Sequence, residues 1–137
     1  VSDCAYGMPK RASTGFDTNR LNMILALLER KLEIPLNRYD VFINVTGGIK
    51  ILETAADLAI VAAILSSFRN RVLSSQSVFI GEVSLVGDIR EVSNVEQRLK
   101  EALSLGLDKA ILPKKPTQNL GIKCFEVQAV TKIIDWM

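Results

Sequence analysis

Residues 53–68 read Glu-Thr-Ala-Ala-Asp-Leu-Ala-Ile-Val-Ala-Ala-Ile-Leu-Ser-Ser-Phe, and this stretch decides the fold. From Ala55 to Phe68, apolar side chains point in most directions around a helix, which is typical of a helix buried on most sides. Thr54 followed by Asp57 resembles a capping box, with Asp in place of Glu, and predicts a helix that starts near Thr54. Such a helix is expected to pack against a sheet.

The flanking sequence alternates between helix and strand patterns. Residues 7–15 are rich in turn formers and are predicted to form a loop, and Asp17 is the predicted N-cap of a helix that ends near Leu32. A third helix is predicted to start with a Ser93–Glu96 capping box and to end at Gly106, and a short helix covers residues 130–136. Strands are predicted at residues 39–45, 78–80, 110–113 and 124–127, and residues 81–87 are predicted to form a turn that leads into another strand. The predicted class is α/β (α+β), a mixed sheet covered by helices in a single domain over residues 1–137.

Composition excludes several classes of protein. The chain has 137 residues, of which 48% are hydrophobic, and a net charge of +2, so a folded domain is expected rather than a disordered or polybasic chain. No run of 18 apolar residues is present, so no membrane partner is expected and the predicted location is cytoplasmic. The chain does not begin with Met, which suggests a fragment of a longer protein.

Missing motifs also limit the chemistry. The chain has no histidine, which removes the Ser-His-Asp triad and the commonest zinc ligand. It has no G-x-x-x-x-G-K-[ST] loop and no G-x-G-x-x-G after a strand, which argues against ATP hydrolysis and a dinucleotide site. Cys4 and Cys124 are far apart in sequence and are expected to be free, buried thiols.

Three segments, residues 45–59, 81–90 and 98–113, resemble the proteolytic domain of Lon proteases. The chain is more similar to the C-terminal domain of the bacterial DNA repair proteins of the RadA (Sms) family. The similar motifs are Pro-Lys-Arg at 9–11, Asp-Val-Phe-x-Asn-Val-x-Gly-Gly at 40–48, Ala-Ala-Asp-Leu-Ala at 55–59 and Ser-Ser at 66–67. Thr54 replaces the usual proline. The resemblance implies a Lon-protease-like fold (ribosomal protein S5 domain 2-like) over nearly the whole chain.

The peptidase site of the Lon family is degenerate in this sequence. Its nucleophilic serine falls on Ala55 and its catalytic lysine falls on Arg98. Alanine offers no nucleophile, and arginine stays protonated and cannot act as a base. The resemblance therefore implies a pseudo-peptidase domain that is not an enzyme. It also implies that this chain has no cofactor, and that ATP, magnesium and zinc belong to N-terminal parts of a DNA-dependent ATPase.

The resemblance further implies a scaffold for a DNA repair and recombination motor. Such a scaffold supports a homo-hexameric ring and sequence-independent binding of single-stranded or branched DNA, and a recombinase filament is a possible further partner. Lys10, Arg11 and Arg20 are the candidate DNA contacts, although an ordinary solvated loop explains the same charges. A second basic spot at Arg98 and Lys100 is flanked by acidic residues, which favours a salt-bridged helix face. Apolar residues in predicted loops are candidate ring contacts: Ile34, Leu36, Leu73 and Leu120.

Two other classes of function stay open. A Ser-Lys peptidase with a different catalytic pair would cleave peptides and be blocked by a serine-reactive inhibitor. A pure protein-interaction module would keep the fold and bind neither DNA nor peptide substrate. Charge reversal at Lys10, Arg11 and Arg20 distinguishes the DNA-binding scaffold from the interaction module.

Overall fold

The computed structural model describes residues 1–4, 7–48 and 50–136. The α-helices in these residues are α1 (Thr18–Leu32), α2 (Asp57–Arg69) and α3 (Val95–Ser104). The strands are β1 (Ser2–Asp3), β2 (Arg11–Thr14), β3 (Tyr39–Asn44), β4 (Ser77–Phe79), β5 (Glu82–Val83), β6 (Ile89–Arg90), β7 (Lys109–Leu112) and β8 (Lys123–Glu126). Short 3-10 segments lie at Leu36–Arg38, Thr46–Gly48, Thr54–Ala56 and Val130–Trp136. These elements confirm a mixed α/β protein, while the Lon-like classification stays a prediction.

The chain divides into two compact units, Val1–Glu53 and Thr54–Met137. The prediction of a single domain stays a prediction. In the first unit, β3 pairs with β1 in antiparallel and with β2 in parallel orientation. The helix α1 buries Leu21, Ile24 and Leu25, as its apolar spacing predicts. Its predicted N-cap is confirmed, because the Asp17 carboxylate accepts a hydrogen bond from the Asn19 N–H at 3.1 Å.

The prediction of a loop over residues 7–15 is wrong in its second half. Arg11–Thr14 forms β2 and pairs in register with β3, from Arg11 opposite Val41 to Thr14 opposite Asn44. The turn-forming residues around this segment predict a loop, and the strand can be recognised only from its pairing with β3. The consequence is that Arg11 lies on a strand rather than in a loop.

The second unit contains a parallel sheet in the order β4-β7-β8 and a separate β5-β6 hairpin. The helix α2 is buried as predicted, with Leu58, Val61 and Ile64 almost fully inaccessible to solvent. From α3, Leu99 and Ala102 pack into a core with Ile80 and Leu112 of the sheet region. Among the described residues, no helix is long and apolar enough to cross a membrane.

Both predicted capping boxes are wrong. The N-cap position of α2 is Ala56, and the Asp57 carboxylate accepts a hydrogen bond from the Val83 N–H at 3.0 Å instead of capping the helix. The N-cap position of α3 is Asn94, in a left-handed conformation with φ 59°, and it makes no side-chain cap. The predicted Gly106 terminus is confirmed, because Gly106 has φ +87° and donates its N–H to the Leu103 carbonyl at 3.0 Å.

Candidate functional site

The three basic residues predicted to bind DNA differ in how far they reach solvent. Lys10 is exposed, and its backbone N–H donates to the Asp40 carboxylate at 2.7 Å. The Arg11 guanidinium donates to the Glu29 carboxylate at 3.2 Å and to the Leu36 carbonyl at 3.0 Å, and its side chain is only 20% exposed. Arg20 is half-buried in the first turn of α1. Lys10 therefore offers the most accessible charge of the three, and Arg11 links β2 to α1.

The residues at the degenerate Lon positions have structural contacts in the second unit. Ala55 is buried, and its carbonyl accepts a hydrogen bond from the Gly81 N–H at 3.1 Å. The Arg98 side chain donates from Nε to the Ser93 carbonyl at 2.9 Å, at the start of its own helix. Ala55 thus holds the approach to α2 against the hairpin region, and Arg98 contacts the segment that leads into α3.

A fully buried carboxylate lies beside Ala55. Asp57 has no exposed surface, and it holds the Val83 N–H of β5 at 3.0 Å. Nearby, Gly81 packs so tightly that a Cβ atom built on it would lie 2.7 Å from Cγ2 of Ile89. The sequence interpretation missed this arrangement because it assigned Asp57 to a helix cap. The contacts around Asp57 and Gly81 join α2 to the β5-β6 hairpin.

A cavity of about 620 Å³ lies at the carboxyl end of β7, and we call it the lysine groove. Residues 91, 92, 94–97 and 100 form one wall, and residues 114–117 form the other. Lys100, Lys114 and Lys115 line the groove, together with Glu91 and Glu96. Carboxyl ends of parallel strands are where open α/β sheets usually bind ligands.

The sequence interpretation missed the lysine groove for two reasons. It treated Lys100 as part of a salt-bridged helix face, whereas no ion pair involves Lys100 among residues 1–4, 7–48 and 50–136. It also ended a strand at Pro113 and gave no role to Lys114 and Lys115. The available signal was a pair of adjacent lysines directly after a buried parallel strand, where loop residues commonly form sites.

The segment after the lysine groove continues past a partly buried thiol. A second cavity of about 300 Å³ is lined by residues 115–120, Ile122 and Cys124. Burial raises the pKa of the Cys124 thiol, and the positive charge of Lys115 opposes this rise in pKa. Cys4 and Cys124 are both free and half-buried, so the expectation of free thiols is confirmed, although neither is fully buried.

Known proteins match this chain over most or all of its length. Residues 6–116 match the family model described as subunit ChlI of Mg-chelatase. Proteins named DNA repair protein RadA are 63% identical over 137 residues in Helicobacter pylori, 57% over 134 residues in Campylobacter jejuni and 44% over 113 residues in Bacillus subtilis. These alignments cover 100%, 98% and 82% of this chain. They cover only 31%, 30% and 25% of the respective relatives.

The family match corrects two expectations drawn from the Lon resemblance. The matched family is of the nucleotide-binding ATPase type, so the interpretation of this chain as a pseudo-peptidase domain, and thus as no enzyme, is wrong. For the same reason, ATP and magnesium are expected with this region, and the expectation of no cofactor in this chain is wrong. Ala55 and Arg98 replace the catalytic serine and lysine of the Lon site. This replacement excludes only the Ser-Lys peptidase mechanism at these two positions.

The residues of this chain do not supply the usual cradle for these cofactors. The sequence has no G-x-x-x-x-G-K-[ST] loop, the motif whose backbone N–H groups surround nucleotide phosphates. The Gly47–Gly48 pair ends β3 in a 3-10 turn rather than opening an α-helix. In the part of the chain that the structure describes, no group of three or more Cys, Asp or Glu side chains could hold a metal ion.

Proposed function

This chain belongs to the family described as subunit ChlI of Mg-chelatase, and from its DNA repair relatives we propose that it is a DNA-binding and assembly module of a DNA repair protein. The observation that carries the proposal is 63% identity, over the whole chain, to a protein named DNA repair protein RadA. Because the chain spans less than a third of that relative, the module acts within a larger machine. Its role is to help subunits form a hexameric ring and to hold DNA without reading its sequence.

The proposed DNA contact is directed at the phosphate backbone. Phosphate contacts from lysine and arginine give affinity that is independent of sequence and falls with salt. Aromatic residues, which stack on the bases of single strands, make up only 6% of the chain. In the first unit, the exposed Lys10 and the half-buried Arg20 are the proposed contacts, while Arg11 supports them through its ion pair with Glu29.

The proposed ring contacts differ from those expected at first. Leu36 is fully buried, so it cannot reach a neighbouring subunit, and Ile34, Leu73 and Leu120 are half-buried. Leu85 and Val86, in the turn of the β5-β6 hairpin, are 65% and 59% exposed. Exposed apolar residues at a protruding turn suit a heterologous contact with a second copy, which a ring requires.

The test measures single-stranded DNA binding and native mass for the natural full-length protein. We expect a hexamer whose affinity for oligo-dT falls steeply with salt. A Lys10→Glu, Arg20→Gln variant is compared with a control of the same charge change in the same unit, Lys50→Glu, Arg38→Gln. We expect the first variant to lose several-fold more affinity than the control, with both variants hexameric and folded by circular dichroism.

Three results would contradict parts of the proposal. A protein that binds no DNA at low salt would overturn the DNA-binding role and favour a pure protein-interaction module. A folded monomer would overturn the assembly role. Equal losses in the two variants would show that Lys10 and Arg20 are not the contacts.

A further inference from the structure

We infer that the lysine groove binds the sugar-phosphate backbone of single-stranded DNA, an inference that rests on the proposed DNA-binding function. The groove brings together Lys100 from α3 with Lys114 and Lys115 from the segment after β7. Three lysines from two separate segments therefore line one cavity of about 620 Å³. The main DNA contact of this chain is thus placed in the second unit, and Lys10 and Arg20 of the first unit contribute a weaker one.

The charges of these lysines are available to a ligand. Lys100, Lys114 and Lys115 are all exposed, and among the residues that the structure describes, none of them has an ion-pair partner. The nearby carboxylate of Glu126 is occupied at least in part by the backbone, because it accepts a hydrogen bond from the Lys115 N–H at 3.0 Å. An unpaired lysine on a surface keeps its hydration and its mobility, and both suit a point contact to phosphate.

The carboxylates of the groove set the expected selectivity. Glu91 and Glu96 line the same cavity, so the net charge of the groove is positive but small. Glu96 precedes Lys100 by four residues on α3, a spacing at which the two charges lie on one helix face. A DNA strand bound along Lys114 and Lys115 lies against the positive side of the groove, whereas Glu91 and Glu96 repel a phosphate placed near them.

The character of the groove walls favours a backbone over a peptide or stacked bases. The apolar lining consists of Val92, Val95 and Pro116, without an aromatic side chain. A flat aromatic surface is what single-strand binding proteins use to stack bases, and an apolar pocket is what anchors a bound peptide. The lysines thus supply the attraction.

Two further exposed lysines lie at the amino ends of β7 and β8. Lys109 and Lys123 are exposed and lie opposite each other in the parallel pairing of β7 with β8. They line a third cavity, of about 500 Å³, in which Asp108 is the acidic residue. Because β7 runs from Lys109 towards the lysine groove, lysines lie at both ends of this strand.

The test is a charge-matched pair of triple variants in the natural full-length protein. Lys100→Gln, Lys114→Gln, Lys115→Gln removes three charges from the groove, and Lys31→Gln, Lys50→Gln, Lys132→Gln removes three exposed charges elsewhere. Binding of fluorescent oligo-dT is followed by anisotropy at several salt concentrations. We expect the groove variant to lose roughly tenfold or more in affinity, and its salt slope to shrink by about 2, since each single-strand phosphate contact contributes about 0.7.

Two further variants test whether the charge of the lysines, rather than their shape, determines DNA affinity. Lys100→Arg, Lys114→Arg, Lys115→Arg keeps the charges, and we expect it to retain binding. Glu96→Gln removes an opposing charge, and we expect affinity to rise at low salt. Thermal unfolding of each variant controls for loss of structure.

Each outcome has a defined meaning. Equal losses in the two glutamine triples, with wild-type binding intact, would overturn the groove site and leave the proposed function standing. A wild-type protein that binds no DNA would overturn both. Inorganic phosphate or ATP that binds the groove while oligo-dT does not would show a small-anion site and would also overturn the inference.

Discussion

At the scale of single residues, the Cys124 thiol reports on the charge of Lys115. Burial disfavours the thiolate and raises the pKa of Cys124 from its ordinary value of 9.0, while the ammonium group of Lys115 stabilises the thiolate and partly offsets that rise. Thiolate is the reactive form, so alkylation follows the pKa. The thiol is therefore predicted to be slow to react at neutral pH.

We predict that Lys115→Gln makes Cys124 less reactive. Without the positive charge, the pKa of Cys124 rises further, and the midpoint of its alkylation moves to higher pH. Iodoacetamide labelling across a pH series, with peptide mass spectrometry to separate Cys124 from Cys4, measures that midpoint. Lys132→Gln is the control and leaves it unchanged. A downward or absent shift in Lys115→Gln would show that Lys115 does not act on the thiol.

Individual contacts explain which site residues the sequence could predict. The charges of Lys10, Arg11 and Arg20 are visible in the sequence, but the partner of Arg11 is not, because Glu29 is eighteen positions away on α1. Leu36 follows a proline and looks like a loop residue, yet it is fully buried. Local patterns identify residue types, whereas partners distant in sequence decide which side chains remain accessible.

At the scale of elements, Asp57 joins the start of α2 to the β5-β6 hairpin. Its carboxylate accepts the Val83 N–H, and two backbone hydrogen bonds at 3.1 Å link Gly81 to Ala55 and Leu58. A buried carboxylate that satisfies a strand N–H removes the cost of leaving that donor unpaired. The hairpin is therefore expected to depend on this single side chain.

We predict that Asp57→Ala destabilises the protein by about 1–3 kcal/mol, because the Val83 N–H loses its buried partner. Asp57→Asn keeps an oxygen acceptor and is expected to lose less. Urea unfolding measures both free energies, and amide hydrogen exchange at Val83 is expected to speed up in Asp57→Ala. Equal stabilities for wild type and Asp57→Ala would contradict the assigned role.

Most elements could be predicted because their signals are local. The spacing of apolar residues predicted α1, the almost wholly apolar run predicted α2, and the glycine after α3 predicted its end. The strand β2 and the cap of α2 were assigned wrongly for a shared physical reason. The segment β2 is a strand because it pairs in parallel with β3. The Asp57 carboxylate accepts the Val83 N–H of the hairpin, which takes it away from the predicted cap. Tertiary contacts override local preference at these positions.

At the scale of the whole molecule, the lysine groove depends on tertiary structure. Its walls, residues 91–100 and 114–117, are separated by the end of α3 and the whole of β7, and their meeting at one end of a parallel sheet is what creates the cavity. The sequence shows the lysines but not their convergence. Family membership likewise came from comparison over most of the chain, and it corrected the narrower expectation based on a missing serine and lysine.

The central claim is that this chain holds DNA within a repair protein, and covalent cross-linking to lysine tests it most directly. The natural full-length protein is bound to single-stranded DNA that carries abasic aldehyde sites, treated with cyanoborohydride to trap the imines formed with lysine, digested and analysed by mass spectrometry. We predict cross-linked peptides from residues 91–117, and weaker cross-linking around residues 7–20. Bound DNA that cross-links only to residues outside this chain would contradict the claim.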